Sequence, residues 1–157
     1  MGQHGTTIRP LQHADVDVCR QIFFDARREA FDWVDSSWFA VDDFDAQTYQ
    51  EQVWVAEASS GVVGFIAVHL PSNYIHHLFV APAHQGLGVG TKLLHFALQR
   101  LSAPVDLKCL SANVRACRFY KERGWRGVER AIDEVLGAFV RYRWEGSTPL
   151  SAGDRNR

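Results

Sequence analysis

Cysteine is scarce in this 157-residue sequence: Cys19, Cys109 and Cys117 are an odd number with no close pair along the chain. A disulfide framework is therefore excluded, and reduced, buried thiols in a cytosolic protein are the expectation. No Cys or His pair has zinc-ligand spacing, so no metal is expected. Long apolar runs are missing too. None reaches the roughly 20 residues that cross a bilayer, and the opening "MGQHGTTIRP" lacks the apolar core of a signal peptide. A cytoplasmic location and no membrane partner follow as expectations. Nor does one sign of charge dominate: 17 Lys and Arg stand against 18 Asp and Glu, a net charge of −1. Such a balance sets up no global field toward nucleic acid, and no nucleic-acid partner is expected.

What is present suits one globular domain with one sizeable core: 46% hydrophobic and 22% charged residues. The domain is assigned to residues 1–145. The last stretch, "EGSTPLSAGDRNR", is polar with Gly and Pro, and residues 146–157 read as a frayed tail.

Periodicity then orders the elements. "TTIRPL" is a short extended start. Val16, Cys19, Ile22, Phe23, Ala26 and Ala30 recur at helical spacing from His13 to about Ala30. A polar and aromatic stretch holding a second short helix follows. "VWVAEA" and "VVGFIAVHL" form an antiparallel pair across "SSG", and "YIHHLFV" is a further strand ending before Pro82. A helix over about 88–101 turns Val89, Leu93, Ala97 and Leu101 inward. "VDLKCL" is a strand, "SANVRACRFYKERG" a helix closed by Gly124, and "WRGVERAID" and "GAFVRYRW" a last pair of strands. The order β-α-α-β-β-β-α-β-α-β-β gives an α/β class, with a mixed, mostly antiparallel central sheet flanked by helices.

The most informative stretch is "HQGLGVGTKLL", His84 to Leu94. A nucleoside-triphosphate loop needs Lys before Ser or Thr, but the order here is Gly90-Thr91-Lys92. The dinucleotide fingerprint needs a third glycine where Thr91 or Leu93 stands, and it fails as well. What remains is a small-residue loop opening a helix, whose backbone N–H groups can meet a pyrophosphate. From Ala81 to Val105 there is no Asp or Glu, which suits an anion.

Downstream lies "NVRACRFYKERGW", Asn113 to Trp125. With "QGLGVG" after a strand ending "LFV", this pair of motifs resembles the GNAT superfamily of N-acetyltransferases. Gln85, Gly88 and Gly90 match its Gln/Arg-x-x-Gly-x-Gly/Ala signature. Asn113, Ala116, Phe119, Tyr120 and Gly124 match the second element, with Trp125 in place of Phe. The element order fits a single GNAT-like domain from about Ile8 to Trp144.

The resemblance implies acetyl-CoA as co-substrate. Gln85, Gly86, Leu87, Gly88, Val89, Gly90 and Thr91 would cradle its pyrophosphate. Leu78, Phe79 and Val80 would pair their main chain with the pantetheine arm, and a backbone N–H there would stabilise the oxyanion. Asn113 and Phe119 would support the cofactor, and Tyr120 would protonate the departing thiolate. His76 occupies a strand position from which some family members aim a base into the site. Its neutral imidazole suits that task, with water as the alternative base. Strict alternation along the strand puts Tyr74, His76, Leu78 and Val80 on one side and Ile75, His77 and Phe79 on the other. His77 is thus expected to be structural.

Acceptor residues are read from "FDWVDSSWFAVDDFD", where Trp33, Trp38 and Asp35 combine aromatic faces with a carboxylate and suit a cationic amine. A solvated acidic surface is the alternative there. The expected activity is direct acetyl transfer to a primary amine of a small molecule in a ternary complex. A protein or peptide amino group is the nearest alternative, and a non-catalytic acyl-CoA-binding module the other. A homodimer is left open.

Overall fold

The computed structural model describes residues 5–146. The expected frayed tail lies outside the described residues except for Gly146. The elements follow the predicted order: β1 (Thr7–Pro10), α1 (Val16–Ala30), α2 (Asp43–Thr48), β2 (Gln52–Ala58), β3 (Gly61–His69), β4 (Tyr74–Val80), α3 (Val89–Leu98), β5 (Val105–Leu110), α4 (Val114–Glu122), β6 (Arg126–Asp133) and β7 (Gly137–Trp144). They form one seven-stranded sheet in the order β1-β2-β3-β4-β5-β7-β6. Every neighbouring pair is antiparallel except β4 and β5, which run parallel. Among the described residues, no helix is long and apolar enough to cross a membrane.

Each face of the sheet carries its own core. On one side Val63, Ile66, Val68, Ile75 and Leu107 pack under Val89, Leu93, Leu94 and Ala97 of α3 and Cys117 and Tyr120 of α4. On the other, Val53, Val55, Phe65 and Ala67 meet Cys19, Ile22 and Phe23 of α1 and Phe44 of α2. The predicted helical spacing of α1 is what brings Cys19, Ile22, Phe23 and Ala26 together as its buried stripe. Its entry is fixed by Asp15, which accepts the Gln12 N–H at 2.7 Å and pairs with Arg9 at 2.7 Å. α3 stops at Leu98, short of the expected Leu101, although Leu101 still reaches the core.

One sequence expectation needs correction: strict alternation does not hold along β4. Ala67 of β3 stands opposite His77, but Val68 stands opposite Ile75, so His76 is an extra residue with no partner. Such a bulge rotates the strand by one residue. Ile75 thereby joins Leu78 and Val80 on the α3 side, while His77 and Phe79 stay on the α1 side. Two of the cysteines, separate along the chain, come close in space. Cys109 Sγ lies 3.3 Å from Cys117 Sγ, the distant positions being joined by packing of α4 on β5. All three cysteines are free and buried, as expected.

Candidate active site

The parallel pair β4 and β5 is where the sheet opens. Only Tyr74 with Asp106 and Ile75 with Leu107 are in register, after which the strands part. A cleft of about 690 Å³ occupies the gap, lined by β4 from Tyr74 to Phe79, β5 from Leu107 to Leu110, and Asn113, Ala116 and Tyr120. Phe31, Trp38, Phe39 and Asp43 line it from the α1–α2 side, and Asp133, Val135, Leu136 and Phe139 from the β6–β7 turn. Both residues predicted to carry the proton transfers, His76 and Tyr120, are therefore on one cleft.

The bulge decides the environment of His76. Its side chain is 42% exposed, and Nδ1 is hydrogen-bonded to Oε1 of Glu51, whose own side chain is only 4% exposed. Burial, with the Lys108 ammonium second, holds the imidazole below its ordinary pKa. His77 has a different fate. It packs edge-on against Phe23 with ring centroids 4.9 Å apart, and burial is the main reason its pKa falls to about 4. It is a neutral, half-buried ring that packs on Phe23 from the α1 side and lines the cleft there.

Tyr120 is buried on α4, edge-on to Phe119 at 5.2 Å and to Trp125 at 5.7 Å. Burial pushes its pKa up, with the Cys109 and Cys117 thiols adding to the shift. The phenol therefore keeps its proton at neutral pH, as a proton donor must. Asn113 caps α4: its Oδ1 accepts the Ala116 N–H at 3.2 Å. That bond commits the side-chain oxygen to the helix, at a residue that lines the cleft.

The glycine loop sits beyond the end of β4. Gly86 and Gly88 hold φ of +80° and +86°, a left-handed backbone that favours glycine, and a Cβ at either would meet nothing within 4 Å. The loop backbone thus faces open space at the start of α3, which fits a pyrophosphate approaching backbone N–H groups. Gln85 ties the loop to β4, its Nε2 donating to Val80 O at 3.1 Å. Phe119 closes the other side: a Cβ on Gly90 would lie 3.8 Å from Val80 Cγ2 and 4.0 Å from Phe119 Cζ. The predicted donor residues on β4, the loop and α4 are therefore gathered into one neighbourhood.

Sequence reasoning passes over two arginines there. Arg115 Nη1 donates to Gln85 Oε1 at 3.3 Å, and Arg123 Nη2 to Thr91 Oγ1 at 2.8 Å. The Arg123 guanidinium also stacks 3.7 Å over the Phe119 ring. Arg115 and Phe119 on α4 and Arg123 at its C-cap stand four residues apart, a spacing visible in the sequence. Glu51 is also passed over. Nothing in the sequence marks it, since its partner lies 25 residues away and on a bulge.

Of the three expected acceptor residues, Trp38 lines the cleft and is 63% exposed. Trp33 and Asp35 are placed outside its lining. Trp33 Nε1 donates to Leu136 O at 3.0 Å and so ties the α1–α2 segment to the β6–β7 turn. Asp35 accepts the Ser37 N–H at 3.0 Å, capping a short turn.

Solved structures with this architecture include the PaiA N-acetyltransferase from Thermoplasma acidophilum in complex with coenzyme A. Its TM-score is 0.76 at 15% identity, with 90% of this chain and 99% of that chain covered. The spermidine N-acetyltransferase from Vibrio cholerae, in complex with CoA and spermine, gives 0.69 at 17% identity, covering 90% and 96%. At the sequence level, the model of the acetyltransferase (GNAT) family matches residues 18–125, and the chain belongs to that family. An "uncharacterized N-acetyltransferase" of Archaeoglobus fulgidus is 35% identical over an alignment of 95 residues, with 51% of this chain and 63% of that relative covered.

Proposed function

We propose that this protein transfers the acetyl group of acetyl-CoA directly to a primary amine of a small molecule, within a ternary complex. The observation that carries the reading is the meeting of His76, Tyr120 and the β4–β5 opening in one cleft. Acetyl-CoA supplies an activated acyl group on sulfur. The chain's own residues supply position and protons. Backbone N–H groups of the Gln85–Thr91 loop hold the pyrophosphate, with no Asp or Glu nearby in sequence to repel it. Leu78, Phe79 and Val80 offer main-chain hydrogen bonds on the side that β5 has left. Asn113 and Phe119 border the arm. His76, kept uncharged near neutrality, receives the amine proton, and Tyr120 gives one to the sulfur.

Trp38 and the Phe31, Phe39 and Phe139 rings give the acceptor region an aromatic wall. That lining supports an amine with an apolar or cationic body. Trp33 and Asp35 act through the rim, fixing the segment that carries Trp38.

The test is thiol release from acetyl-CoA against panels of small amines and of peptides, with Tyr120→Phe and His76→Ala run beside the parent. Turnover of small amines that collapses in Tyr120→Phe at unchanged CoA affinity is the expected result. Turnover restricted to peptides would move the acceptor to a protein amino group. CoA binding without turnover of either panel would leave a non-catalytic binder.

A further inference from the structure

Glu51 is a buried carboxylate with no part in the transfer chemistry proposed for His76 and Tyr120. It lies in the short link between α2 and β2, with its N–H donating to Thr48 O at 2.9 Å. The residue before it, Gln50, holds φ of +66°, which costs a non-glycine residue about 1 kcal/mol. The link is thus held in an unfavourable backbone conformation that delivers Glu51 under β4. One carboxylate oxygen meets His76 Nδ1, and the other, Oε2, is buried with no hydrogen-bond partner. A buried carboxylate with an idle oxygen is costly, and among the described residues the contact with His76 is the one side-chain hydrogen bond that offsets it.

We propose that Glu51 is a positioning residue for proton abstraction: it accepts Nδ1–H of His76 and so leaves Nε2 unprotonated for the acceptor amine. This rests on His76 being the base. In the step, the amine nitrogen bonds to the acetyl carbon and the carbon–sulfur bond breaks. The nitrogen's proton passes to Nε2, and the departing sulfur takes a proton from Tyr120. Glu51 stays ionised throughout and faces the imidazolium when it forms. Water then returns a proton to Tyr120 and removes one from His76.

Other groups around the imidazole do not supply this hold. The Tyr74 ring lies tilted beside it with centroids 4.7 Å apart, and those of His69 and His77 are 6.1 Å away. Lys108 is a cation and opposes protonation. Of the cleft carboxylates, Asp43 is committed to Arg27 at 3.1 Å, and Asp133 to the Val135 and Leu136 N–H groups at 2.8 Å. Asp106, beside Tyr74 in the sheet register, is held by Arg141 and Arg143.

The experiment pairs imidazole NMR with pH–rate profiles on the full chain. In the parent, His76 is expected as the Nδ1–H tautomer. Glu51→Gln keeps an acceptor oxygen but removes the charge, so the tautomer should persist while the His76 pKa drops by about one unit or more. The acidic limb of kcat/KM should move down by the same amount. Glu51→Ala should lose the tautomer preference and about 10- to 100-fold in kcat. Circular dichroism and thermal melting identify any variant that fails to fold, and the nearly isosteric Glu51→Gln then decides the matter alone. An unchanged His76 pKa in Glu51→Gln overturns the proposal. A shifted pKa with an acidic limb that survives His76→Ala also overturns it, because it removes His76 as base while leaving the Glu51–His76 pair intact.

Discussion

Replacing His77 by methionine removes an imidazole that the fold keeps neutral. In the native state burial lowers its pKa from about 6.5 to about 4, with smaller contributions from His76 and from the Arg27 charge. The unfolded chain therefore binds a proton at a pH where the folded chain does not, and the difference enters stability directly. A gap of about 2.5 units at about 1.36 kcal/mol per unit gives about 3 kcal/mol in full. The sign follows from which state takes the proton. Above about pH 6.5 the effect is nil, it grows as the pH falls toward about 4, and below that it is constant. Between about pH 7 and about pH 5 the parent should lose about 2 kcal/mol through this ring alone. Carboxylates whose pKa the fold lowers, including Asp15, Asp45 and Asp106, also lose stability in acid. They are common to parent and variant and cancel in the difference. Urea unfolding of both proteins at several pH values measures that difference. Altered packing against Phe23 and Phe79 moves its intercept, whereas titration moves its slope. A difference that stays level within about 0.5 kcal/mol from pH 7 to 5 would refute the reasoning.

Three substitutions probe the cofactor loop, the acceptor rim and the entry to α1. Gly88→Asp should weaken acetyl-CoA binding by about 10-fold or more in calorimetry while its circular dichroism stays native. It sets a carboxylate on the loop proposed to hold the pyrophosphate, at a φ of +86°. Trp33→Phe removes only the donor to Leu136, so KM for the acceptor should rise several-fold with CoA affinity unchanged. Asp15→Ala strips one of the two carboxylates that hold Arg9, Glu57 remaining at 3.2 Å, and the acceptor from the Gln12 N–H, and should cost about 2 kcal/mol by urea unfolding.

Much of the fold is legible in the sequence because its signals are local. The β2–β3 hairpin announces itself by alternation about "SSG", and α1 by the four-residue steps that bury Cys19, Phe23 and Ala26. The donor loop is legible because a left-handed helix start selects glycine, and the glycines stand in the sequence for anyone to see. Less can be read where one residue's role depends on another far along the chain. The bulge at His76 is such a case: an inserted residue has no signature, and period 2 assigns Ile75 to the wrong face. Glu51 and the contact of Cys109 with Cys117 escape for the same reason, since only the packed sheet brings them to their partners. Trp33 stands out in the sequence for its ring, yet its indole N–H is committed to the opposite loop.

The bulge on β4 also frees one position from the fold's demands. Ile75 and His77 on either side are each tied to a core, one beneath α3 and one against Phe23. His76 faces neither, so its identity can change with little disturbance to the layers above and below. Exchanging the imidazole there for a carboxylate or amide therefore leaves the packed side chains of both layers in place. The one buried neighbour that has to change with it is Glu51.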